Sequence, residues 1–233
     1  MNSPKYVGLV PARAGSRGIK DKNLETIGTK TLLQIAIEGA VSSGHIDSVI
    51  VSSDGKHILA EALKHNAIPH ERPSQIATDN SLARDVVFDF LQSPFGHSLE
   101  STDFIVYLQP TSPFRSSNHI VDSIRLSKKH AGKSVVSVVK IPASLERIVI
   151  IDNFSLKALR AIPSMPSKNR QDLTEVYTAN GALYLFSIEE FLRQGDIPIL
   201  ESVPYLMTQH DSIDIDSIED LEFARLIETV SSL

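Results

Sequence analysis

The stretch "PARAGSRGIKDKN", residues 11–23, combines glycines with cationic side chains. Four basic residues and a single acid, Asp21, lie between Arg13 and Lys22, although the whole chain has a formal charge of −5. Glycines let backbone amides approach a phosphate closely, and consecutive amides form an anion-binding concavity. The loop lacks the spacing of a Walker loop or of a dinucleotide fingerprint. We therefore predict a phosphate-binding loop of another kind, in preference to a solvated basic loop.

A second stretch, "DSIDID", carries the opposite charge. Residues 211–222 contain six acids and no base. If the stretch is extended, Asp214 and Asp216 share one face and two isoleucines share the other. Two carboxylates placed in this way are natural oxygen ligands for Mg²⁺. The alternative is an acidic, solvated entry to a last helix, which Ser217 and Asp220 would begin as a capping box.

Two further polar stretches follow apolar runs. In "LQPTSPFR", residues 108–115, two prolines fix the backbone, and a rigid polar strand end suits recognition of a base or a sugar. A simple turn into the next helix explains this stretch equally well. In "SSD", residues 52–54, we expect Asp54 to be a helix N-cap rather than a group that takes part in chemistry.

The elements that must hold these stretches alternate between apolar runs and helical patterns. The sequence predicts strands near residues 6–10, 49–51, 104–108, 135–139 and 181–186, and helices near 33–41, 58–63, 84–91, 120–124 and 217–230. This alternation predicts one α/β domain over residues 1–233, with three layers and a mostly parallel central sheet. Ligands bind at the carboxyl ends of the strands in such sheets. Prolines interrupt residues 141–178, which we expect to form a lid or an oligomer arm.

The bulk composition excludes several classes of protein. The chain has 233 residues, of which 42% are hydrophobic, and a pI near 5.9, which argues against nucleic acid as the main partner. No cysteine is present, so there is neither a disulfide framework nor a thiolate metal site, and a reducing cytoplasm is expected. No signal peptide and no membrane-spanning run is predicted.

A phosphate loop and a carboxylate pair in one α/β domain together favour nucleotidyl transfer. In that chemistry the basic loop holds a triphosphate, and Mg²⁺ on the aspartates stabilises charge on the phosphate oxygens. A sugar oxygen would attack the α-phosphate, and catalysis would rest on positioning and electrostatics.

The ordered motifs "PARAGSRGIKDKN", "ERPSQIATDNS", "LQPTSPFR", "NRQ", "NGALY" and "DSIDID" resemble those of the acylneuraminate cytidylyltransferases. The resemblance runs from about residue 6 to 226 and includes the legionaminic and pseudaminic acid enzymes. It implies a Rossmann-like nucleotidyltransferase fold and a homodimer whose arm is the 141–178 region. It also implies a Mg²⁺-dependent reaction in which CTP and a nine-carbon 2-keto acid sugar give a CMP-sugar and pyrophosphate.

The resemblance also assigns roles to individual residues. It implies nucleotide contacts for Arg13, Ala14, Gly15, Ser16, Arg17, Lys22, Asn23, Arg72, Asp79 and Ser81. It implies sugar contacts for Gln109, Arg147, Arg170, Asn180 and Tyr184, metal binding by Asp214 and Asp216, and catalytic roles for Arg13, Lys22 and Asp216. Thr178 stands where some sialic acid enzymes have an arginine. The Kdo-activating enzymes are a more distant alternative, since they lack the S-x-D-I-D arrangement, and a catalytically silent nucleotide-binding regulator is the alternative from another class.

Overall fold

A computed structural model describes residues 3–15, 18–144, 149–152, 155–158 and 174–231 of the chain. The strands are β1 (Tyr6–Pro11), β2 (Thr26–Ile27), β3 (Lys30–Thr31), β4 (Ser48–Ser53), β5 (Ile68–Glu71), β6 (Phe104–Tyr107), β7 (Val135–Ser144), β8 (Val149–Asp152), β9 (Ser155–Ala158), β10 (Glu175–Ser187) and β11 (Val203–Met207). The helices are α1 (Leu32–Ser42), α2 (Lys56–Lys64), α3 (Ala83–Leu91), α4 (Ser117–Lys129), α5 (Ile188–Gln194) and α6 (Ile218–Ser231). All the predicted strands and helices are confirmed, with shifted bounds.

Seven strands form the central sheet in the order β11-β7-β10-β6-β1-β4-β5. Every neighbouring pair in this order is parallel except the two pairs that β10 makes, with β6 and with β7. The prediction of a mostly parallel sheet is therefore confirmed. Because β4, β1 and β6 are parallel neighbours, the loops that follow them leave the same edge of the sheet, as the sequence predicts.

The two faces of the sheet are covered by different helices. Alternate side chains of β1 point to opposite faces: Tyr6 and Val10 pack with α1, α2 and α4, whereas Val7 and Leu9 pack with α3 and α5. This arrangement gives the three layers expected from the sequence. Helix α6 belongs to a third, smaller cluster.

The 141–178 region lies partly outside the described residues. Its described part shows β7 continuing to Ser144, β8 paired antiparallel with β9, and β10 beginning at Glu175. The role of this region as an arm between protomers stays a prediction. Within the described ranges, no helix is both long and apolar enough to cross a membrane.

Candidate active site

A cleft of about 270 Å³ opens at the carboxyl edge of the sheet, beyond β1 and β6. It is lined by Pro11, Arg13, Lys22, Asn23, Arg72, Ile76, Ala77, Thr78, Asp79, Ser81, Leu82, Ala83, Val86, Tyr107, Gln109, Pro110, Thr111, Asp214 and Asp216. The basic loop and the acidic stretch, which are almost 200 residues apart in sequence, are thus two walls of one cleft.

The basic wall is held by side chains that bond to its backbone. The buried Asn23 amide donates to the Arg13 carbonyl at 3.0 Å, which folds the loop back on itself. The Ala14 N–H donates to Asp54 Oδ1 at 2.9 Å. The prediction that Asp54 caps a helix is wrong: α2 begins at Lys56, its N-cap is Gly55, and no side chain bonds there. The Asp54 carboxylate instead accepts from the basic loop, which leaves the neighbouring strand β1.

The acidic wall is fixed by its isoleucines. Ile215 is completely buried among Ile19, Leu32 and Leu221, and its N–H donates to the Thr111 carbonyl at 2.8 Å. Ile213 packs at the edge of the same cluster. The segment is not a strand, yet its isoleucines face inward and its aspartates line the cleft, which is the alternation that the sequence predicts.

The capping box that follows the acidic stretch is also confirmed. The Asp220 N–H donates to Ser217 Oγ at 3.2 Å, and the Ser217 N–H donates to Asp220 Oδ2 at 2.8 Å. This box fixes the start of α6, whose first residue, Ile218, lies two positions after Asp216.

Lys22 joins the two walls. Its ammonium donates to the Ile215 carbonyl at 2.6 Å and lies 3.2 Å from Asp216 Oδ1. The Lys22 side chain is 14% exposed, whereas that of Asp216 is 79% exposed. Lys22 is therefore a largely buried cation beside an exposed carboxylate. Across the cleft, Arg13 Nη1 pairs with Asp79 Oδ1 at 2.5 Å.

Asp214 and Asp216 differ sharply in environment, and the difference bears on metal binding. Asp214 Oδ1 is buried and has no hydrogen-bond partner among the described residues. Burial is the main cause that raises the pKa of Asp214, and the charge of Asp216 raises it further, against the hydrogen bond from Thr111 and the charge of Lys22. A buried carboxylate oxygen without a partner, next to an exposed carboxylate, is a donor set that a divalent cation would satisfy.

Among the described residues, no third acidic, histidine or cysteine side chain joins Asp214 and Asp216. Within the described ranges, no three His, Cys, Asp or Glu side chains come together as a metal site. Mg²⁺ is usually bound by one or two carboxylates together with waters and substrate phosphates, so two aspartates on a cleft that also holds cationic side chains fit it well.

Arg72 and Tyr107 form the floor of the cleft. Both are buried, and Arg72 Nε has no hydrogen-bond partner among the described residues. Burial lowers the pKa of Arg72 and raises that of Tyr107, and each charge partly offsets the other shift. This part of the lining therefore combines a buried cation with a neutral phenol.

The structure brings nine of the predicted site residues to the cleft lining: Arg13, Lys22, Asn23, Arg72, Asp79, Ser81, Gln109, Asp214 and Asp216. Ala14 and Gly15 continue the basic loop beyond the lining. Ser16, Arg17, Arg147 and Arg170 lie outside the described residues. Their roles stay predictions.

Asn180 and Tyr184 lie behind the lining rather than in it. The Asn180 amide donates to Ser212 Oγ at 2.8 Å, and its Oδ1 accepts from Ser137 Oγ at 2.5 Å. The Tyr184 ring meets the edge of the Tyr107 ring at 6.3 Å between centroids. Asn180 thus connects β7 and β10 to the acidic stretch.

Sequence reasoning missed Tyr107, Thr78 and Thr111. Tyr107 is the last residue of β6, and a strand end at the ligand edge is the signal that could have identified it. Thr111 lies inside the "LQPTSPFR" stretch, in which the resemblance assigns a contact to Gln109 alone. Thr78 lies on an irregular segment between two helical turns, where the sequence pattern is silent.

A sequence-family model described as cytidylyltransferase matches residues 7–228. The chain belongs to the cytidylyltransferase family. The cleft described above is therefore the candidate active site of a cytidylyltransferase-family domain.

Three relatives show the range of this cytidylyltransferase family. The chain is 31% identical over 225 residues to an N-acylneuraminate cytidylyltransferase of Escherichia coli O18:K1:H7, with 96% of the chain and 52% of the relative covered. It is 30% identical to a CMP-N,N'-diacetyllegionaminic acid synthase of Legionella pneumophila, with 91% of each covered. It is 27% identical to a pseudaminic acid cytidylyltransferase of Campylobacter jejuni, with 97% of each covered. The chain spans about half the length of the first curated relatives it matches.

A solved structure agrees on the fold. The CMP:2-keto-3-deoxy-manno-octonic acid synthetase, solved with CTP, superposes with a TM-score of 0.69 at 15% identity, covering 98% of this chain and 100% of the other. At that identity the likeness shows a shared fold alone.

Proposed function

We propose that this chain transfers the cytidylyl group of CTP to a sialic-acid-type, nine-carbon 2-keto acid sugar. The observation that carries the proposal is that Arg13 and Lys22 line the same cleft as Asp214 and Asp216. Cations on one wall suit a triphosphate, and paired carboxylates on the other suit its Mg²⁺. The named relatives act on sugars of this class, which supports the proposal.

In the proposed reaction the anomeric hydroxyl of the sugar attacks the α-phosphate of CTP. A bond forms between the sugar oxygen and the α-phosphorus, the bond to the β-phosphate oxygen breaks, and pyrophosphate leaves. The hydroxyl proton passes to solvent. Mg²⁺ held by Asp214 and Asp216 would neutralise charge on the phosphate oxygens.

The side chains of the cleft supply positioning and fixed charge. Lys22 and Arg13 would hold the triphosphate, since each places a cation at the mouth of the basic loop. Arg13 must exchange its bond to Asp79 for the phosphate, so Asp79 keeps Arg13 in place until the nucleotide binds. Arg72 adds a buried cation beneath this site, where the low dielectric strengthens its field.

The test is pyrophosphate release from CTP and Mg²⁺ with a panel of N-acetylneuraminic, legionaminic, pseudaminic and Kdo sugars. Release with at least one sugar is expected, and the best sugar of the panel defines the substrate. Asp216→Asn is the inactive control and EDTA the metal control. No release with any sugar of the panel would refute the proposal. Release with ATP, GTP or UTP but not CTP would indicate another nucleotidyltransferase, and CTP binding without turnover would indicate a silent regulator.

We further propose that the protein is a homodimer and acts in the cytoplasm. Tyr177, inside the 141–178 region, and Leu206, on the edge strand β11, are exposed large hydrophobic residues, which supports an arm between protomers. Sedimentation equilibrium should give twice the 25.6 kDa chain mass, and a monomer at micromolar concentration would contradict the dimer. A chain without cysteine agrees with a reducing compartment, and cell fractionation tests this directly.

A further inference from the structure

Arg115 is a buried cation that the proposed reaction does not use. It ends the "LQPTSPFR" stretch and is 3% exposed. No carboxylate of the described residues lies within ion-pair distance of its guanidinium, and its Nε has no hydrogen-bond partner there. Burial lowers the pKa of Arg115 to about 10, so it remains charged at neutral pH. Burying a charge without an opposite charge costs free energy unless the charged group is hydrogen-bonded. The hydrogen bonds of the Arg115 guanidinium therefore matter for stability.

Those contacts lie where two strands separate. The antiparallel ladder between β6 and β10 ends at the pair Tyr107–Tyr184. Continuing its register by two residues would place Gln109 opposite Ala182, but no backbone hydrogen bond joins them. Arg115 Nη1 instead donates to both carbonyls, each at 2.8 Å. The guanidinium thus replaces the backbone hydrogen bonds that would continue the ladder. It lies between the two strands and holds them apart.

Gly181 lies on the β10 side of the point at which β6 and β10 separate, which we call the β6–β10 fork. It has φ +78°, in the left-handed region that favours glycine, and a Cβ there would lie 2.5 Å from Gln109 Oε1. The Gln109 side chain therefore rests directly on the Gly181 backbone, while its carbonyl is held by Arg115. The Ala182 N–H has turned away to Asn180 Oδ1 at 3.2 Å, which keeps the fork open.

We propose that Arg115 is a positioning residue for the sugar: by holding the β6–β10 fork open it fixes the Gln109 side chain in the cleft. The inference rests on the proposed function, in which Gln109 contacts the sugar. It gives "LQPTSPFR" and "NGALY" a joint role, since the arginine of one and the glycine of the other confine the same glutamine. Arg115 itself does not line the cleft, so it acts through Gln109.

The test measures pyrophosphate release for the wild type, Arg115→Lys, Gln109→Ala and the double variant, with Arg125→Lys on the exposed side of α4 as the matched control. Loss of bonds from a charged donor predicts a sugar KM raised about tenfold in Arg115→Lys, with the CTP KM within about twofold of the wild type. In the Gln109→Ala background the same substitution should change the sugar KM less than about twofold, because the residue through which it acts is gone. Arg125→Lys should leave both KM values unchanged.

Equal effects of Arg115→Lys on the sugar and CTP KM values, or a full effect in the Gln109→Ala background, would overturn the inference. If Arg115→Lys does not fold, Gly181→Ala must raise the sugar KM selectively, and a normal sugar KM in that variant refutes the fork. If the wild type is inactive on every sugar, the proposed function fails separately. The inference is then judged by NMR: the Gln109 side-chain amide signal should shift in Arg115→Lys but not in Arg125→Lys, and an unshifted signal refutes it.

Discussion

Replacing Asp214, the more buried aspartate of the acidic wall, should raise the stability of the metal-free protein and lower its activity. Asp214 has a raised pKa because its carboxylate is buried, and its Oδ1 has no hydrogen-bond partner among the described residues. Asp216 is largely exposed and lies 3.2 Å from Lys22. If both bind the same Mg²⁺, Asp214→Asn and Asp216→Asn should each lose activity. Only Asp214→Asn should stabilise the metal-free protein.

The expected magnitudes follow from these environments. An unpaired buried polar group costs roughly 1–3 kcal/mol, and Asn still buries an amide, so we expect Asp214→Asn to gain about 1 kcal/mol of unfolding free energy. For a chain of this length that is about 2–4 °C in Tm. Loss of one metal contact costs on the order of several kcal/mol of transition-state stabilisation, so kcat/KM should fall on the order of a thousandfold in either variant.

The sign of the pH dependence is fixed by the direction of the shift. Because the folded-state pKa of Asp214 lies above its unfolded-state value, the folded protein binds more protons between the two, and stability falls as pH rises through that interval. The free-energy cost of burying the charged Asp214 carboxylate is complete above the folded-state pKa. The gain from Asp214→Asn should therefore be largest near pH 7.5 and shrink towards pH 4, below which the aspartate is protonated in both states.

The assay is a thermal melt in EDTA at several pH values, paired with pyrophosphate release in Mg²⁺. A lower Tm for Asp214→Asn at pH 7.5, or a gain that grows on acidification, would refute the argument from burial. Turnover within about twofold of the wild type in either variant would remove the metal assignment.

Three other substitutions test the walls of the cleft. Lys22→Met removes the donor to the Ile215 carbonyl and a cation of the proposed triphosphate site, so Tm should fall and the CTP KM should rise at least about tenfold in a titration of CTP. An unchanged CTP KM would place the triphosphate elsewhere. Asp54→Ala removes the acceptor of the Ala14 N–H, and steady-state kinetics should show a CTP KM raised severalfold with the sugar KM unchanged; a selective sugar effect would contradict this. Ile215→Ala opens a cavity under the acidic wall and should cost about 2–5 kcal/mol in denaturant unfolding, together with activity. A stable but inactive variant would show that the cluster is not what holds the aspartates.

The elements and the two charged walls could be predicted because each depends on local patterns. Alternation of apolar residues identifies the strands, and the isoleucines of "DSIDID" reveal which way Asp214 and Asp216 point even though the segment is not a strand. Ser217 and Asp220 form a capping box, which the three-residue spacing of their side chains predicts from the sequence. In each case the partners lie within a few residues of one another.

The features that could not be predicted depend on partners distant in sequence. Asp54 has the residue type and position of a helix cap. Because β1 and β4 are neighbours in the sheet, however, its carboxylate accepts from the Ala14 N–H instead. Arg115 looks like any arginine before a helix, and its role depends on the register at which β6 and β10 part. Only the folded sheet contains that information.

The bond between Lys22 and the Ile215 carbonyl spans 193 positions, which makes the cleft a late product of folding. Contacts of such sequence separation form slowly, because a long loop must be closed before they contribute. During synthesis the strands β1, β4 and β5 can pair early, yet the cleft has no carboxylate wall until residue 216 has left the ribosome. A nascent chain thus has its basic loop before it has the acids of the same cleft, and the metal-dependent nucleotide binding that we propose should appear only once α6 docks.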